Sequence, residues 1–323
     1  MASVATEPKP PTELKPAPKR PAREESGVWF PRWYWPSFAA PSTIWLAVFF
    51  VLPLYVVISV AFGTSDPIFG APLPVYEPWY WSTDAMTHVL GRFVGAAPFW
   101  RPALFRTLIY VAFASIICVV VGFLVAYYVA RHGGKRKTLY LVLLVTPFWI
   151  SYLMRIFAWQ GLLQPDGLVN DVLRWTHLHT APVEWLSGRP ITVILALVYG
   201  YIPYMILPIY GGIDRMNLSL LEAGRDLGAT PFQTFRRVTL PVSKQAILAG
   251  TVIVSLPMFG DYYTNNLVGS PRTSMFGNLI DNSVSQSGQG PRAGSLVLLL
   301  ILFLMIPMLY YLRSTKRAAE GAA

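Results

Sequence analysis

One acidic side chain lies inside a long apolar stretch of this sequence, next to aromatic rings. Asp261 is followed directly by Tyr262 and Tyr263. An acid within a membrane span is a functional candidate by default, and a cation over an aromatic ring gains roughly 0.5–2 kcal/mol. Other apolar stretches carry further aromatic candidates, namely Tyr201, Tyr204 and Trp149. Together these residues predict a path for a positively charged group, with a membrane-interface belt as the alternative for the tyrosines.

Arg155 gives Asp261 a second possible role. The two residues lie at similar depths in their apolar stretches if each helix rises about 1.5 Å per residue. They could therefore form a structural ion pair, which neutralises two charges that are each unfavourable alone in an apolar medium. The sequence leaves both interpretations of Asp261 open, as a partner of Arg155 or as part of a solute path.

Other chemistry finds little support in the residues. The four histidines are His88, His132, His177 and His179, and their spacing fits no recognised metal site. The single cysteine, Cys118, has no second cysteine in the chain with which to form a disulfide. No strand-turn-helix nucleophile motif accompanies the serines. We therefore expect no catalytic residues and no metal bound by this chain.

The elements that position these residues are predicted to be membrane helices. Apolar residues make up 54% of the 323 positions and charged residues only 13%, which is unusual for a soluble domain. A span needs about 20 apolar residues. Six stretches qualify: Ala40–Phe62, Leu108–Ala130, Leu139–Leu163, Ile191–Ile213, Ala246–Tyr263 and Ser295–Leu312. We predict an all-α polytopic membrane protein with one transmembrane domain over residues 28–318.

The positive charges predict how the helices are oriented. Every lysine and most arginines fall in segments that are cytoplasmic if the N-terminus lies inside. Residues 1–27 are rich in Pro, Lys, Glu and Ala and are expected to be a disordered cytoplasmic tail. Residues 319–323 form a short cytoplasmic C-terminal tail. The net charge of +10 then reflects topology and anionic lipid, and a nucleic-acid partner is not expected.

The loop over residues 214–244 has the local signals of two capped helices. Ser219 and Glu222 have capping-box spacing, and Gly228 suits a left-handed stop. Thr230, Pro231 and Gln233 predict a second helix start, and Pro241 is expected to end the unit near the membrane. Such a pair of short helices would form a rigid projection.

The same loop resembles the EAA loop of permease subunits in binding-protein-dependent ABC importers. Glu222, Ala223, Gly228, Leu240 and Pro241 match the family pattern, while Gly224 and Val238 replace its Ala and Ile. The resemblance implies a coupling helix at Glu222–Leu227 that docks on a partner ATPase. The implied ATPase-coupling residues are Glu222, Ala223, Gly224, Arg225, Asp226, Leu227, Gly228 and Pro241. This chain has no phosphate-binding loop of its own, so ATP and Mg would be bound by the partner.

Three further stretches resemble spermidine/putrescine permeases, and among their two permease types the B-type subunit. These stretches are Leu144–Trp149, Met154–Ile156 and Gly260–Gly269. The resemblance implies alternating access within a type I ABC importer. It also implies a bacterial inner-membrane location, a second permease subunit, two ATPase subunits and an extracytoplasmic substrate-binding protein. Another small solute is the main alternative, followed by an ion channel or a membrane-embedded enzyme.

Overall fold

The computed structural model describes residues 33–95, 100–177 and 181–320. The tail predicted for residues 1–27 lies outside the described residues. Contacts divide the chain into two compact units, Met1–Leu52 and Pro53–Ala323. Within the first unit, no residue of Tyr34–Leu46 is buried, so this segment presents apolar side chains such as Trp45 to its surroundings.

The described part of the chain is largely helical. Its helices, in chain order, are α1 (Tyr34–Ala61), α2 (Asp84–Val94), α3 (Arg101–His132), α4 (Lys137–Val145), α5 (Tyr152–Leu162), α6 (Leu168–Trp175), α7 (Pro190–Asp214), α8 (Ser219–Asp226), α9 (Pro231–Gly260), α10 (Tyr263–Val268), α11 (Phe276–Ser285) and α12 (Gly290–Glu320). The helices α1, α3, α7, α9 and α12 are long and apolar enough to cross a membrane.

The third predicted span, Leu139–Leu163, is not a continuous helix. Helix α4 passes into a 3-10 turn, Thr146–Trp149, and α5 then starts at an angle of 86° to this first half. Pro147 lacks a backbone N–H, and Ile150 and Ser151 have extended ψ angles of 138°. The helix therefore breaks where its ladder loses a donor and two residues leave the helical region. Counted as one broken span, the pair brings the number of helices in the described residues that could cross a membrane to six.

A two-stranded hairpin is the part of the described fold that the all-helical prediction missed. Strand β1 (Thr64–Ser65) pairs with β2 (Pro72–Leu73) in antiparallel register. Between the strands, the backbone N–H groups of Phe69 and Ile68 donate to Asp66 and lower the pKa of its carboxyl. These bonds favour the ionised form and fix the turn.

The core of the second unit lies where α3, α7 and α9 converge on Met205. Met205 is fully buried. A Cβ on Gly122 of α3 would lie 3.0 Å from its Cγ, and one on Gly250 of α9 would lie 2.8 Å from its Sδ. Glycines at these two points let the helix backbones approach closely, as is common between membrane helices. The arrangement holds α7 firmly between two other spans.

Candidate functional site

Asp261 lies at a break in the backbone rather than inside a helix. The fifth span ends at Gly260, and Asp261 is extended, with φ −69° and ψ 119°. Helix α10 starts two residues later at Tyr263. The prediction that helix continues through Tyr263 is therefore wrong. Asp261 is nevertheless only 6% exposed, so its carboxylate must be satisfied by groups of the protein.

Hydroxyl groups surround the Asp261 carboxylate. Oδ2 accepts hydrogen bonds from the hydroxyls of Tyr152 at 2.6 Å, Thr264 at 2.7 Å and Tyr201 at 3.3 Å. Oδ1 accepts from the backbone N–H of Thr264 at 3.0 Å. The donors come from α5, α7 and α10, so one carboxylate joins three helices. The Tyr201 bond is the longest of the four, which makes this hydroxyl the easiest donor to displace.

Arg155 is buried close to this cluster but does not pair with Asp261. No carboxylate of the described residues lies within 4.0 Å of its guanidinium, and its Nε and Nη1 are buried without a hydrogen-bond partner there. The guanidinium instead packs on aromatic rings, with Cζ 4.5 Å from the ring centroid of Phe148, 5.6 Å from that of Tyr152 and 5.9 Å from that of Tyr199. The ion pair, one of the two roles that the sequence left open for Asp261, is not formed among the described residues, and Asp261 takes its donors from hydroxyls and a backbone N–H instead.

Tyr152 connects the two charges and was not among the sequence candidates. Its hydroxyl donates to Asp261 and lies in close contact with the Thr264 hydroxyl, while its ring lies beside Arg155. Tyr152 lies three residues before Arg155 on one helix, so both side chains lie on the same face. This spacing is the feature of the sequence that could have identified Tyr152. The ring also requires a glycine opposite it, because a Cβ on Gly200 would lie 2.5 Å from Tyr152 Cε2.

The other predicted path residues lie at different distances from the cluster. Tyr201 is part of it, and its ring centroid is 5.7 Å from that of Tyr152. Tyr262 and Tyr263 stack on each other at 4.0 Å, next to Asp261 in the chain. Among the described residues, neither of these two nor Tyr204 donates to Asp261. Trp149 lies at the break before α5 and is 80% exposed. It makes no hydrogen bond to the Asp261 carboxylate in the described part of the chain.

A cavity of about 740 Å³ lies beside α10. Its polar lining includes four asparagines from α10 and α11 together with Arg106 of α3: Asn265, Asn266, Asn278 and Asn282. Asn278 donates to the carbonyl of Tyr262 at 3.2 Å, and a Cβ on Gly277 would lie 2.8 Å from the carbonyl oxygen of Asp261. The start of α11 therefore packs directly on the backbone break that carries Asp261.

At the other end of α7, the polar loop begins with the short helix α8. It starts at Ser219 as predicted, but the predicted capping box is absent. The backbone N–H of Ser219 donates to Asn217 Oδ1 at 3.1 Å, and the serine side chain caps nothing. Asparagine is as good a capping residue as serine, so the cap lies two residues earlier than the spacing indicated. Gly228 ends the turn with φ +75°, as predicted.

The helix that starts in the second half of the loop is longer than the sequence predicts. Thr230 and Gln233 form the predicted capping box, with Pro231 in the first helical turn. Pro241 does not end the unit, because α9 runs from Pro231 through a π-helical segment, Phe235–Thr239, into the span. Pro241 lies in the first turn after this segment. The loop is thus one short helix folded against the extended end of a membrane helix, not two short helices.

Apolar side chains are exposed on this otherwise polar loop. Leu227 is 88% exposed and Phe232 is 68% exposed, and Leu218 and Leu220 are also exposed. Arg225, Asp226, Arg236 and Arg237 are exposed too, and the ion pairs of the described residues include none of them. Large exposed apolar groups within a charged surface are typical of interaction sites.

The comparison with known families agrees with this architecture. Residues 88–317 match the family described as binding-protein-dependent transport system inner membrane component. The match covers most of the chain, including the Asp261 cluster and the 219–241 loop. The chain therefore belongs to this family. It is a multi-pass membrane protein and a permease subunit of an ABC importer.

Individual relatives are similar over most of their length. The spermidine/putrescine transport system permease protein PotB of Escherichia coli strain K12 is 30% identical over 272 residues, which cover 84% of this chain and 94% of that protein. PotB of Haemophilus influenzae is 31% identical over 84% of this chain and 91% of its own length. The inner membrane ABC transporter permease protein YdcU of Escherichia coli is 32% identical over 66% of this chain and 70% of its own length.

A solved structure shares the fold. A chain in the crystal structure of a bacterial alginate ABC transporter, in complex with its alginate pentasaccharide-bound periplasmic protein, superposes with a TM-score of 0.68. The alignment covers 88% of this chain and 95% of the other, at 18% sequence identity. At this identity the likeness concerns the fold alone.

Proposed function

We propose that this permease subunit carries protonated polyamines, such as spermidine or putrescine, into the cytoplasm of a bacterium by alternating access. The observation that carries this proposal is the buried Asp261 carboxylate beside two tyrosine rings. A polyamine alternates apolar carbon chain with ammonium groups. A carboxylate with aromatic walls complements both parts, and the similarity to PotB supports the same class of solute.

The hydrogen bonds of Asp261 indicate how an ammonium group would bind. The Tyr201 hydroxyl is held at 3.3 Å, so an arriving ammonium replaces this donor at the smallest loss of hydrogen bonding. The shorter bonds from Tyr152 and Thr264 keep the carboxylate in place. The ring of Tyr201 then remains beside the cation. Arg155 packs on the rings of Phe148, Tyr152 and Tyr199. In this proposal it keeps the Tyr152 ring in place beside the carboxylate.

The driving force comes, in this proposal, from two partner ATPase subunits that bind ATP and Mg. Leu227 and Phe232 of the loop insert into a groove of the ATPase, while Glu222, Arg225 and Asp226 contact its rim. Helix α8 packs on the α9 extension at Thr234, since a Cβ on Gly224 would lie 3.7 Å from the Thr234 side chain. Movement of the ATPase is thereby passed to a helix that ends at Asp261. A second permease subunit completes the path, and an extracytoplasmic binding protein delivers the solute.

Replacement of Asp261 by asparagine tests the solute path. The complete transporter is reconstituted in vesicles, and uptake of labelled spermidine is measured with its binding protein present. Asp261→Asn keeps the shape of the side chain and removes its charge, so we expect normal membrane abundance and a loss of uptake of at least tenfold. Asp171→Asn, which removes an exposed carboxylate paired with Arg174, is the control and should transport normally.

Two results would separate the parts of the proposal. Unchanged spermidine uptake by Asp261→Asn at normal abundance removes the carboxylate from the path. A wild-type assembly whose ATPase responds to another small solute but not to polyamines refutes the assignment of the solute and leaves the ABC permease intact.

A further inference from the structure

A second polar cavity lies at the opposite end of the molecule from the backbone break at Asp261. It has a volume of about 490 Å³ and lies between the start of the span in α9 and the end of α12. Its lining consists of Lys244 and Gln245 from α9 and of Tyr310, Arg313, Ser314 and Arg317 from α12. The Gln245 side-chain N–H donates to the Ser314 carbonyl at 3.4 Å and joins the two helices beside the cavity.

Three cations face this one cavity. Arg313 and Arg317 are four residues apart on one face of α12, and Lys244 comes from the facing helix. The cavity lining includes no acid, and the ion pairs of the described residues include none of these three side chains. Lys316 of the same helix does not line the cavity and is paired with Glu320 at 3.9 Å. Like charges that share a cavity repel one another, so an anion bound in this cavity would be stabilised by all three cations.

The position of the cavity indicates where this anion comes from. Tyr310 is 65% exposed one turn before Arg313, at the depth where the apolar part of α12 ends. Tyrosine and arginine in this order are typical of the boundary between hydrocarbon and headgroups. A basic pocket between membrane helices at this level fits the headgroup of an anionic lipid.

We propose that Lys244, Arg313 and Arg317 bind the phosphate group of an anionic phospholipid such as phosphatidylglycerol. Gln245 supports this ligand, because its Oε1 is buried without a donor in the described structure, while its N–H is held by Ser314. A glycerol headgroup carries hydroxyls that supply such a donor. The phosphate contacts α9 and α12 at the same time. A bound lipid therefore holds α9, which extends into the 219–241 loop, against α12.

This site rests on the membrane placement of the permease but not on the identity of its solute. Binding is measured on the purified full-length chain in detergent as the rise in melting temperature when short-chain phosphatidylglycerol is added. Short-chain phosphatidylcholine and inorganic phosphate are the comparison ligands. Each charge near a lipid surface contributes about a fivefold change in affinity, so Arg313→Gln should weaken phosphatidylglycerol binding about fivefold. The variant Lys244→Gln/Arg313→Gln/Arg317→Gln should weaken it about a hundredfold.

Lys316→Gln is the matched control, since it removes a cation of the same helix outside the cavity. We expect it to bind phosphatidylglycerol like the wild type. Equal losses in Lys316→Gln and Arg313→Gln overturn the proposal, because the effect would then be general charge. Full stabilisation by inorganic phosphate alone also overturns the assignment to lipid. If the triple variant does not fold, the comparison of the two single variants decides the question.

Discussion

At the scale of single residues, Tyr152 organises the candidate site. Its hydroxyl donates to Asp261 next to Thr264, and its ring lies beside the Arg155 guanidinium. The sequence identified Asp261 and Arg155 correctly as buried charges, since charge in an apolar run is a strong signal. The sequence could not identify their partners. A tyrosine hydroxyl and an arginine can both bind the same carboxylate, and which of them does so depends on how three helices pack together.

Tyr152→Phe removes the hydroxyl and leaves the ring. A hydrogen bond to a charged group contributes about 1.5–3 kcal/mol, so we expect this variant to melt several degrees lower and to take up less solute. The measurement is the melting temperature in detergent, with uptake in vesicles alongside. Tyr140→Phe, a tyrosine of α4 outside the Asp261 cluster, is the control. A melting temperature equal to that of the wild type would contradict the role given to the hydroxyl.

Gly200→Ala tests the same contact from the opposite helix. The new Cβ would lie 2.5 Å from the Tyr152 ring, so the ring must move and its bond to Asp261 must lengthen. Gly211→Ala is the matched control in the same helix, because none of the described neighbouring residues has an atom within 4 Å of its Cβ position. We expect Gly200→Ala to reduce uptake and stability. Gly211→Ala should be neutral or more stable by up to about 1 kcal/mol. Equal behaviour of the two variants would argue against a tight contact with the Tyr152 ring.

At the scale of elements, the sequence predicted the helices better than their ends and breaks. The long apolar stretches of α3, α7 and α12 were found because a hydrocarbon layer imposes their length. The break in Leu139–Leu163 was missed because hydropathy does not sense a lost backbone donor at Pro147. The sequence predicts a stop at Pro241, but α9 passes through this residue directly after its π-helical segment, Phe235–Thr239, where the helical hydrogen-bond pattern is already irregular. Asn217 caps α8, whereas the spacing of Ser219 and Glu222 predicts Ser219 as the capping residue.

Gly228→Ala tests the turn between α8 and α9. Gly228 has φ +75°, and an alanine in this conformation is less favourable by about 1–2 kcal/mol. We expect the turn to loosen and the solute-stimulated ATPase rate of the assembled transporter to fall. Gly224→Ala is the control, since its Cβ would lie 3.7 Å from Thr234 at ordinary contact distance. It should keep full activity, and a larger loss in Gly224→Ala than in Gly228→Ala would contradict this description of the loop.

At the scale of the whole molecule, the two candidate regions lie at opposite ends of one helix. Helix α9 starts beside the exposed Leu227 and ends at Gly260, next to Asp261. The helix is 30 residues long and includes the π-helical segment Phe235–Thr239 and Pro257. In the proposed function it is the element that links the docking loop to Asp261. The sequence could predict both ends separately, but their connection depended on the helix continuing through Pro241.

Leu227→Ser tests the docking surface. Loss of an exposed leucine from a groove contact should weaken association with the ATPase while leaving the fold of this chain unchanged. We expect less ATPase to copurify and uptake to fall about tenfold. Leu168→Ser removes another exposed leucine, from α6 and outside the loop, and should have no effect. Normal copurification of the ATPase with Leu227→Ser would exclude this leucine from the interface.

We propose that ATP hydrolysis in a partner that docks on the 219–241 loop drives solute movement through this subunit. The most direct measurement is uptake of labelled spermidine into vesicles that contain the complete assembly, with ATP or a non-hydrolysable analogue on the loop side. We expect uptake with ATP, none with the analogue, and none without the ATPase subunits. Spermidine uptake that persists in ATPase-free vesicles would contradict it.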